Sequence, residues 1–315
     1  MEQPRRRRPW RCNCAHAISR DSASAVNPAA LTLVDLDLRP DLGAAALALF
    51  AAAPPGADHL VCGLPAFMGL PASMDALNQA AGVLVALDRG VAAGALALCP
   101  YSEEQITLWG PAAAKGAAEA VAARLIDAAR EALHLSPYNS MRALADTRNR
   151  RARTLLLAHG FTTWKDNYFY ERVLGSEAQP GTSRVRRAGV RDHGALATIF
   201  IQGFPNSDHC IPSLQKRELE GYRHYLLEDD GVVAAAAAVQ DAGGRGWLKL
   251  VAMRPEMRGR HLSKRLLEGV LAEEAKHRTQ AIALEVLADN APAIHLYESV
   301  GFKRRWTATI FTGPV

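Results

Sequence analysis

The alternation of apolar and polar positions divides the second half of the chain into an ordered series of elements. Val185–Val190 reads as a strand, and residues 192–202 as a helix with Asp192 in the N-cap position. Apolar runs at Tyr225–Leu227 and Val232–Val239 flank Asp229-Asp230-Gly231, a pattern that predicts a hairpin turn. A further turn at Gly243-Gly244-Arg245-Gly246 precedes a strand over Trp247–Met253. Helical periodicity then runs from Met257 to Lys276, followed by a strand at Ala281–Leu287, a helix at Ala291–Val300 and a last strand at Trp306–Phe311. Helices interrupt a sheet that contains several hairpins, so the expected class is mixed α/β of the α+β type and not a regular doubly wound fold.

The first half carries the same order. Displacing the sequence by 141 positions brings Asp88 and Gly90 onto Asp229 and Gly231, Leu125-Ile126 onto Leu266-Leu267, Asn149 onto Asn290, and Gly160-Phe161 onto Gly301-Phe302. Two copies of one fold account for all of these coincidences at a single offset. The stretch from Gly175 to Ser183, rich in Gly, Ser, Gln and Pro, reads as the linker between them. The expected division is a basic, unstructured tail at 1–29, a first domain at 30–177 and a second at 178–315.

Charge adds little to this picture once it is located. The first 20 residues hold six arginines and one acid, which accounts for the whole net charge of +5 and leaves residues 21–315 formally neutral. The folded body has no excess positive charge to hold phosphate backbones, so nucleic acid is not an expected partner. The five cysteines are scattered and suggest no disulfide framework. Cys12, Cys14 and His16 fall short of a four-ligand zinc set, and no metal is expected. No run approaches the roughly 18 apolar residues of a membrane span. An arginine-rich, acid-poor start also suits an organelle transit peptide; a bacterial-type cytoplasm is the expected location.

The chemistry concentrates in two segments. In Val251-Ala-Met253-Arg-Pro-Glu-Met-Arg258-Gly259-Arg260-His261-Leu262-Ser263, a strand ends, a proline forces a turn, and a basic, glycine-containing loop opens a long helix. Free amides and the positive end of a helix suit a pyrophosphate, with Arg258, Arg260 and Lys264 adding charge. In Leu284-Glu285-Val-Leu-Ala-Asp-Asn290-Ala-Pro-Ala-Ile-His-Leu-Tyr297, a strand leads to Asn290, a natural cap for the next helix, and Tyr297 follows along that helix. Gly301 is placed to end it.

In this order and spacing the two segments resemble the GNAT superfamily of acyl-CoA N-acyltransferases over roughly residues 184–315. The resemblance implies two tandem GNAT-like domains, each a mixed, mostly antiparallel sheet flanked by helices, with two central parallel strands splayed apart. It implies acetyl-CoA as co-substrate, held by Val251, Met253, Arg258, Gly259, Arg260, His261, Leu262, Ser263, Asn290 and Tyr297. It implies acetyl transfer to an amine by direct attack, with Tyr297 protonating the departing thiolate.

Two departures stand out. His261 occupies a position where the family usually has glycine, and the Trp247–Met253 strand lacks the acid that family members often place there. Glu285 on the next strand is the candidate base; Asp208, His209 and an ordered water are alternatives. In the first copy Leu156 stands where the second has Tyr297, and Ala117–Ala122 replaces the basic loop with a sequence containing Glu119, although Lys115-Gly116 lies nearby. That copy is therefore expected to be degenerate. The expected acceptor is a small-molecule or protein amine, and a homodimer is compatible with the sequence. A non-catalytic acyl-CoA-binding or regulatory module is the alternative function.

Overall fold

The computed structural model describes residues 30–52, 73–114, 118–175, 184–205, 207–241 and 244–315. The basic tail with Cys12, Cys14 and His16, the Lys115-Gly116 pair and Ala117, and most of the expected linker lie outside the described residues. The chain divides into two compact units. Unit 1 runs to Asp166 and also takes in Thr307–Val315, and unit 2 is Asn167–Trp306.

In chain order the first repeat contributes β1 (Thr32–Asp35), α1 (Gly43–Ala52), α2 (Met74–Asn78), β2 (Gly82–Asp88), β3 (Val91–Pro100), β4 (Gln105–Ala113), α3 (Ala118–Leu133), β5 (Ser140–Asp146), α4 (Arg150–Ala158) and β6 (Thr162–Val173). The second contributes β7 (Val185–Arg187), α5 (His193–Gly203), α6 (Ile211–Leu219), β8 (Tyr222–Asp229), β9 (Val232–Asp241), β10 (Arg245–Met253), α7 (Leu262–Lys276), β11 (Ala281–Leu287), α8 (Ala291–Ser299) and β12 (Lys303–Pro314).

The strand order is β1-β2-β3-β4-β5-β12 in unit 1 and β6-β11-β10-β9-β8-β7 in unit 2. Each sheet is antiparallel except for one central parallel pair, β4/β5 or β10/β11. The expected boundary at residue 177/178 is thus not where the chain divides in space. The last strand of each repeat completes the sheet of the other unit: β12 from Ala308 to Pro314 lies along β5, and β6 from Asn167 to Val173 lies along β11. Seven residue pairs fix each register, and periodicity within a strand carries no information about so distant a partner.

The hairpins form as the turn residues predict. Arg89 and Gly90, and likewise Asp230 and Gly231, have φ between 51° and 81°, the left-handed pair that a tight two-residue turn requires. In unit 2 the alanine run of β9 is buried on both faces. On one face Ala235, Ala237 and Val239 pack with Leu248, Ile282 and Leu284 beneath Leu266, Leu267 and Val270 of α7. On the other, Ala236, Ala238 and Ala252 pack against Leu196 and Phe200 of α5 and Leu214 of α6.

Three local expectations change. Asp192 precedes α5 but does not cap it with its side chain; its carboxylate accepts from the Gly189 amide and pairs with Arg186 at 2.7 Å. The helix expected from Met257 begins at Leu262, after a 3-10 turn at Pro255–Met257. Residues 211–219, unassigned from sequence, form α6. Among the described residues no helix is long and apolar enough to cross a membrane.

Candidate active site

The site lies within unit 2 and begins where its parallel pair opens. β10 and β11 pair only at Arg245–Ala281, Gly246–Ile282 and Trp247–Ala283. Immediately afterwards β10 shifts register against β9, with Lys249 as the extra residue between Leu248 and Leu250. A bulge increases local twist and bends its strand. β10 therefore follows β9 as far as Met253 while its side toward β11 is left without a strand partner. Val251 and Met253, two of the expected cofactor contacts, lie on this open stretch, partly buried toward the α7 face.

The loop that follows is tied down at its start. The Arg254 amide donates to Ala234 O, and its guanidinium to Val233 O at 2.7 Å. Gly259 has φ of 80° and His261 φ of 57°, so two left-handed residues turn the chain into α7. Such turns point successive amides to one side. Among the described residues, the N–H groups of residues 259–264 meet no acceptor, and no side chain caps the helix. Leu262, buried at the first position, anchors the turn in the core. His261, which stands where glycine was expected, is exposed and makes no side-chain cap to the helix. A row of unfilled donors at the positive end of a 15-residue helix fits a pyrophosphate.

The charges around this loop differ from expectation. Arg260 pairs with Asp229 at 2.9 Å and Asp230 at 3.4 Å, and Lys264 reaches Glu268 at 3.9 Å. Arg265 joins Asp229 at 3.2 Å. Arg258 is exposed and pairs with no acid among the described residues, so it is the one basic group of the three that stands ready for an anion.

Asn290 accepts from the Ala293 amide at 3.3 Å and so caps α8 as its sequence position predicts. Tyr297 packs from α8 against the α7-face core, its ring 5.9 Å from Phe302 and nearly edge-on. Burial pushes its pKa up to about 12, which keeps the phenol protonated at neutral pH. Gly301 ends the helix with φ of 84°.

The opposite face of the opening holds Glu285. Alternation along β11 turns Leu284 and Val286 into the α7-face core and Glu285 away from it. Asn167 of β6, buried, donates its side-chain amide to Glu285 Oε2 at 2.7 Å. Lys249 shares this face, its ammonium 5.6 Å from the ring centre of buried Trp247. Burial lowers the Lys249 pKa, and the charge of Glu285 offsets this in part.

Asn167 and Lys249 were not singled out from sequence; a register partner and a bulge leave no mark in a single strand. The alternative bases are otherwise engaged. Asp208 accepts from the Cys210 amide at 3.0 Å and from the Ser213 hydroxyl, and these bonds hold its pKa near 2. His209 is buried with Nδ1 2.9 Å from the Arg217 guanidinium, and burial lowers its pKa. No cluster of metal-ligating side chains is found among the described residues.

The sheet thus opens beside a bulged strand on one bank and an amide-lined helix start on one face. Residues 195–302 match the acetyltransferase (GNAT) family, and the chain carries a domain of that family. Among curated proteins it is similar to the [ribosomal protein bS18]-alanine N-acetyltransferase of Escherichia coli K12, 36% identical over 99 residues, 31% of this chain and 65% of the relative. The same enzyme of Salmonella typhimurium is 37% identical over 98 residues, 30% of this chain and 66% of the relative. The chain therefore spans just under two thirds of the curated relatives it matches.

Among solved structures, a GCN5-related N-acetyltransferase from Sphaerobacter thermophilus superposes with a TM-score of 0.69 at 15% identity, covering 92% of this chain and 97% of the other. A tandem GNAT protein from the clavulanic acid biosynthesis pathway gives 0.65 at 17% identity, covering 90% and 98%. These likenesses extend the fold across both repeats.

Proposed function

We propose that the protein is an N-acetyltransferase, that unit 2 binds acetyl-CoA and that its acetyl group passes to an amine acceptor. The observation that carries this reading is the row of six unfilled amides at residues 259–264, which follows the open stretch of β10, with Tyr297 of α8 packed on the same core as Val251 and Met253. Acetyl-CoA supplies the activated acetyl group. The amides from Gly259 to Ser263, with Arg258, hold its phosphates, and the open edge of β10 at Val251 and Met253 takes the pantetheine arm. Asn290 keeps the start of α8, and with it Tyr297, in place.

Tyr297 holds the proton that the sulfur takes up as the C–S bond breaks. Glu285, fixed by Asn167, takes the proton lost from nitrogen as the N–C bond forms. Unit 1 is read as a copy without acetyl-CoA. Leu156, at the place of Tyr297, is fully buried in its core. Glu119 stands in the first turn of α3, and Pro111, with no N–H, occupies the irregular part of β4.

The acceptor reading is a small-molecule or protein amine, and the named activity of the curated relatives makes an alanine N-terminus one to try. The test incubates the full chain with acetyl-CoA and a panel of amines and alanine-initiated peptides, following free thiol and product mass. Acetylated product with stoichiometric thiol release supports the reading. Saturable CoA binding without transfer to any acceptor favours a binding module instead.

A further inference from the structure

The α5/α6 face of the opening carries opposite charges on its two banks, and the reaction as proposed uses only one of them. Glu285 stands on β11. Lys249 stands on β10 at the bulge, at the point where the two strands part. Its stem is not that of a free surface lysine: the residue is half-buried, and its ammonium lies over the ring of Trp247, itself packed 6.4 Å from Phe169. Among the described residues no carboxylate comes within ion-pair distance of Lys249. Glu285 has one oxygen occupied by Asn167 and the other without a partner among the described residues.

We propose that Lys249 determines acceptor specificity, and that the acceptor is a zwitterion: an amino acid, or a molecule as small with a carboxylate a few bonds from its amine. The carboxylate sits on the Lys249 ammonium and the amine on the open oxygen of Glu285. This inference rests on the acetyl-transfer reading above.

A desolvated ammonium with no anion in contact is unfavourable, and an anion brought beside it restores what burial removed; the lowered pKa of Lys249 fits that state. In the other direction, an ammonium approaching Glu285 without a carboxylate of its own meets Lys249 as a like charge. The pair therefore attracts a zwitterion and discriminates against simple amines, diamines and amino-acid amides.

The test uses the full-length protein, acetyl-CoA, and matched acceptors: free amino acids, their amides, the corresponding decarboxylated amines and alanine-initiated peptides. The expected result is a kcat/KM for the preferred amino acid about ten- to a hundredfold above that of its amide, as one charge-assisted hydrogen bond provides, with the difference in KM. In Lys249→Met the gap closes through a raised KM for the amino acid, and Lys249→Glu inverts it in favour of amides and diamines. Thermal unfolding of the variants shows that the fold is kept. Equal kcat/KM for amino acid and amide in the natural protein would overturn the inference while leaving acetyl transfer standing, as would equal use of peptides or an unchanged gap in Lys249→Met. Failure to acetylate any acceptor removes the acetyl-transfer reading and this inference together.

Discussion

Asn167 and Glu285, 118 residues apart in the chain, are joined by a 2.7 Å hydrogen bond across the β6/β11 register. The amide takes one carboxylate oxygen and leaves the other without a hydrogen-bond partner among the described residues. It fixes the orientation of Glu285 without competing for the proton, since an amide neither gains nor loses one near neutral pH.

Removing the anchor and removing the proposed base should therefore differ. Glu285→Gln is expected to lower kcat by about a hundredfold or more, in the range of general-base catalysis. Asn167→Ala is expected to cost about tenfold, and Asn167→Asp more, because it sets like charge against Glu285. Steady-state kinetics with a saturating acceptor separates the three, and equal losses in all would make Glu285 structural.

Tyr297 offers a test by pH. Its pKa lies near 12 because of burial, so the phenol stays protonated, as the proposed general acid must be, throughout the neutral and mildly alkaline range. The kcat profile is expected to show no alkaline fall below about pH 10 from this group. Tyr297→Phe should reduce kcat by about a hundredfold while CoA binding, measured by calorimetry, changes little.

The two loop arginines should not be equivalent. Arg260 is held by Asp229 and Asp230, whereas Arg258 pairs with no acid among the described residues. Arg258→Ala is expected to weaken CoA binding by a few-fold at low salt, an effect that shrinks as ionic strength rises. Arg260→Ala should change CoA affinity less, and instead loosen the β8–β9 turn. Calorimetric titration at two salt concentrations distinguishes them.

Stability in unit 2 should depend on Glu274. Burial pushes its pKa up, but hydrogen bonds from Arg223 at 2.7 and 2.8 Å, Tyr225 at 2.6 Å and Thr279 at 2.7 Å bring it below the ordinary value. A lowered folded pKa contributes stability above the unfolded value, near 4.3, and that contribution disappears as pH falls through the folded pKa. Glu274→Ala is expected to cost about 3 kcal/mol, toward the low end for a broken buried pair, because Arg223 keeps only Asp241 at 3.4 Å. Denaturant unfolding at neutral and acid pH should show the gap between natural and variant proteins narrowing toward pH 3.

Much of this was legible in the sequence where local chemistry decides the structure. Asp230-Gly231 needs left-handed backbone, Asn149 and Asn290 supply caps, and Gly301 ends a helix; each acts on its immediate neighbours. Helix α6 was not legible because so few apolar residues mark it. Beyond Leu214, its anchors are polar: Glu218 to His193 at 3.0 Å and to His224 at 3.4 Å, and Arg217 to His209. Lys249 reads as an ordinary strand position until the bulge is seen. The partners of β6 and β12 depend on contacts more than a hundred residues away.

That exchange of strands bears on why both repeats persist. The repeat that has leucine in place of the tyrosine is nevertheless the one that encodes Asn167 and the β6 edge along β11. The repeat with the tyrosine in turn supplies the strand beside β5. Neither repeat can be deleted without taking from the other its partner strand, so truncation to a single repeat is expected to leave a sheet with an unpaired edge.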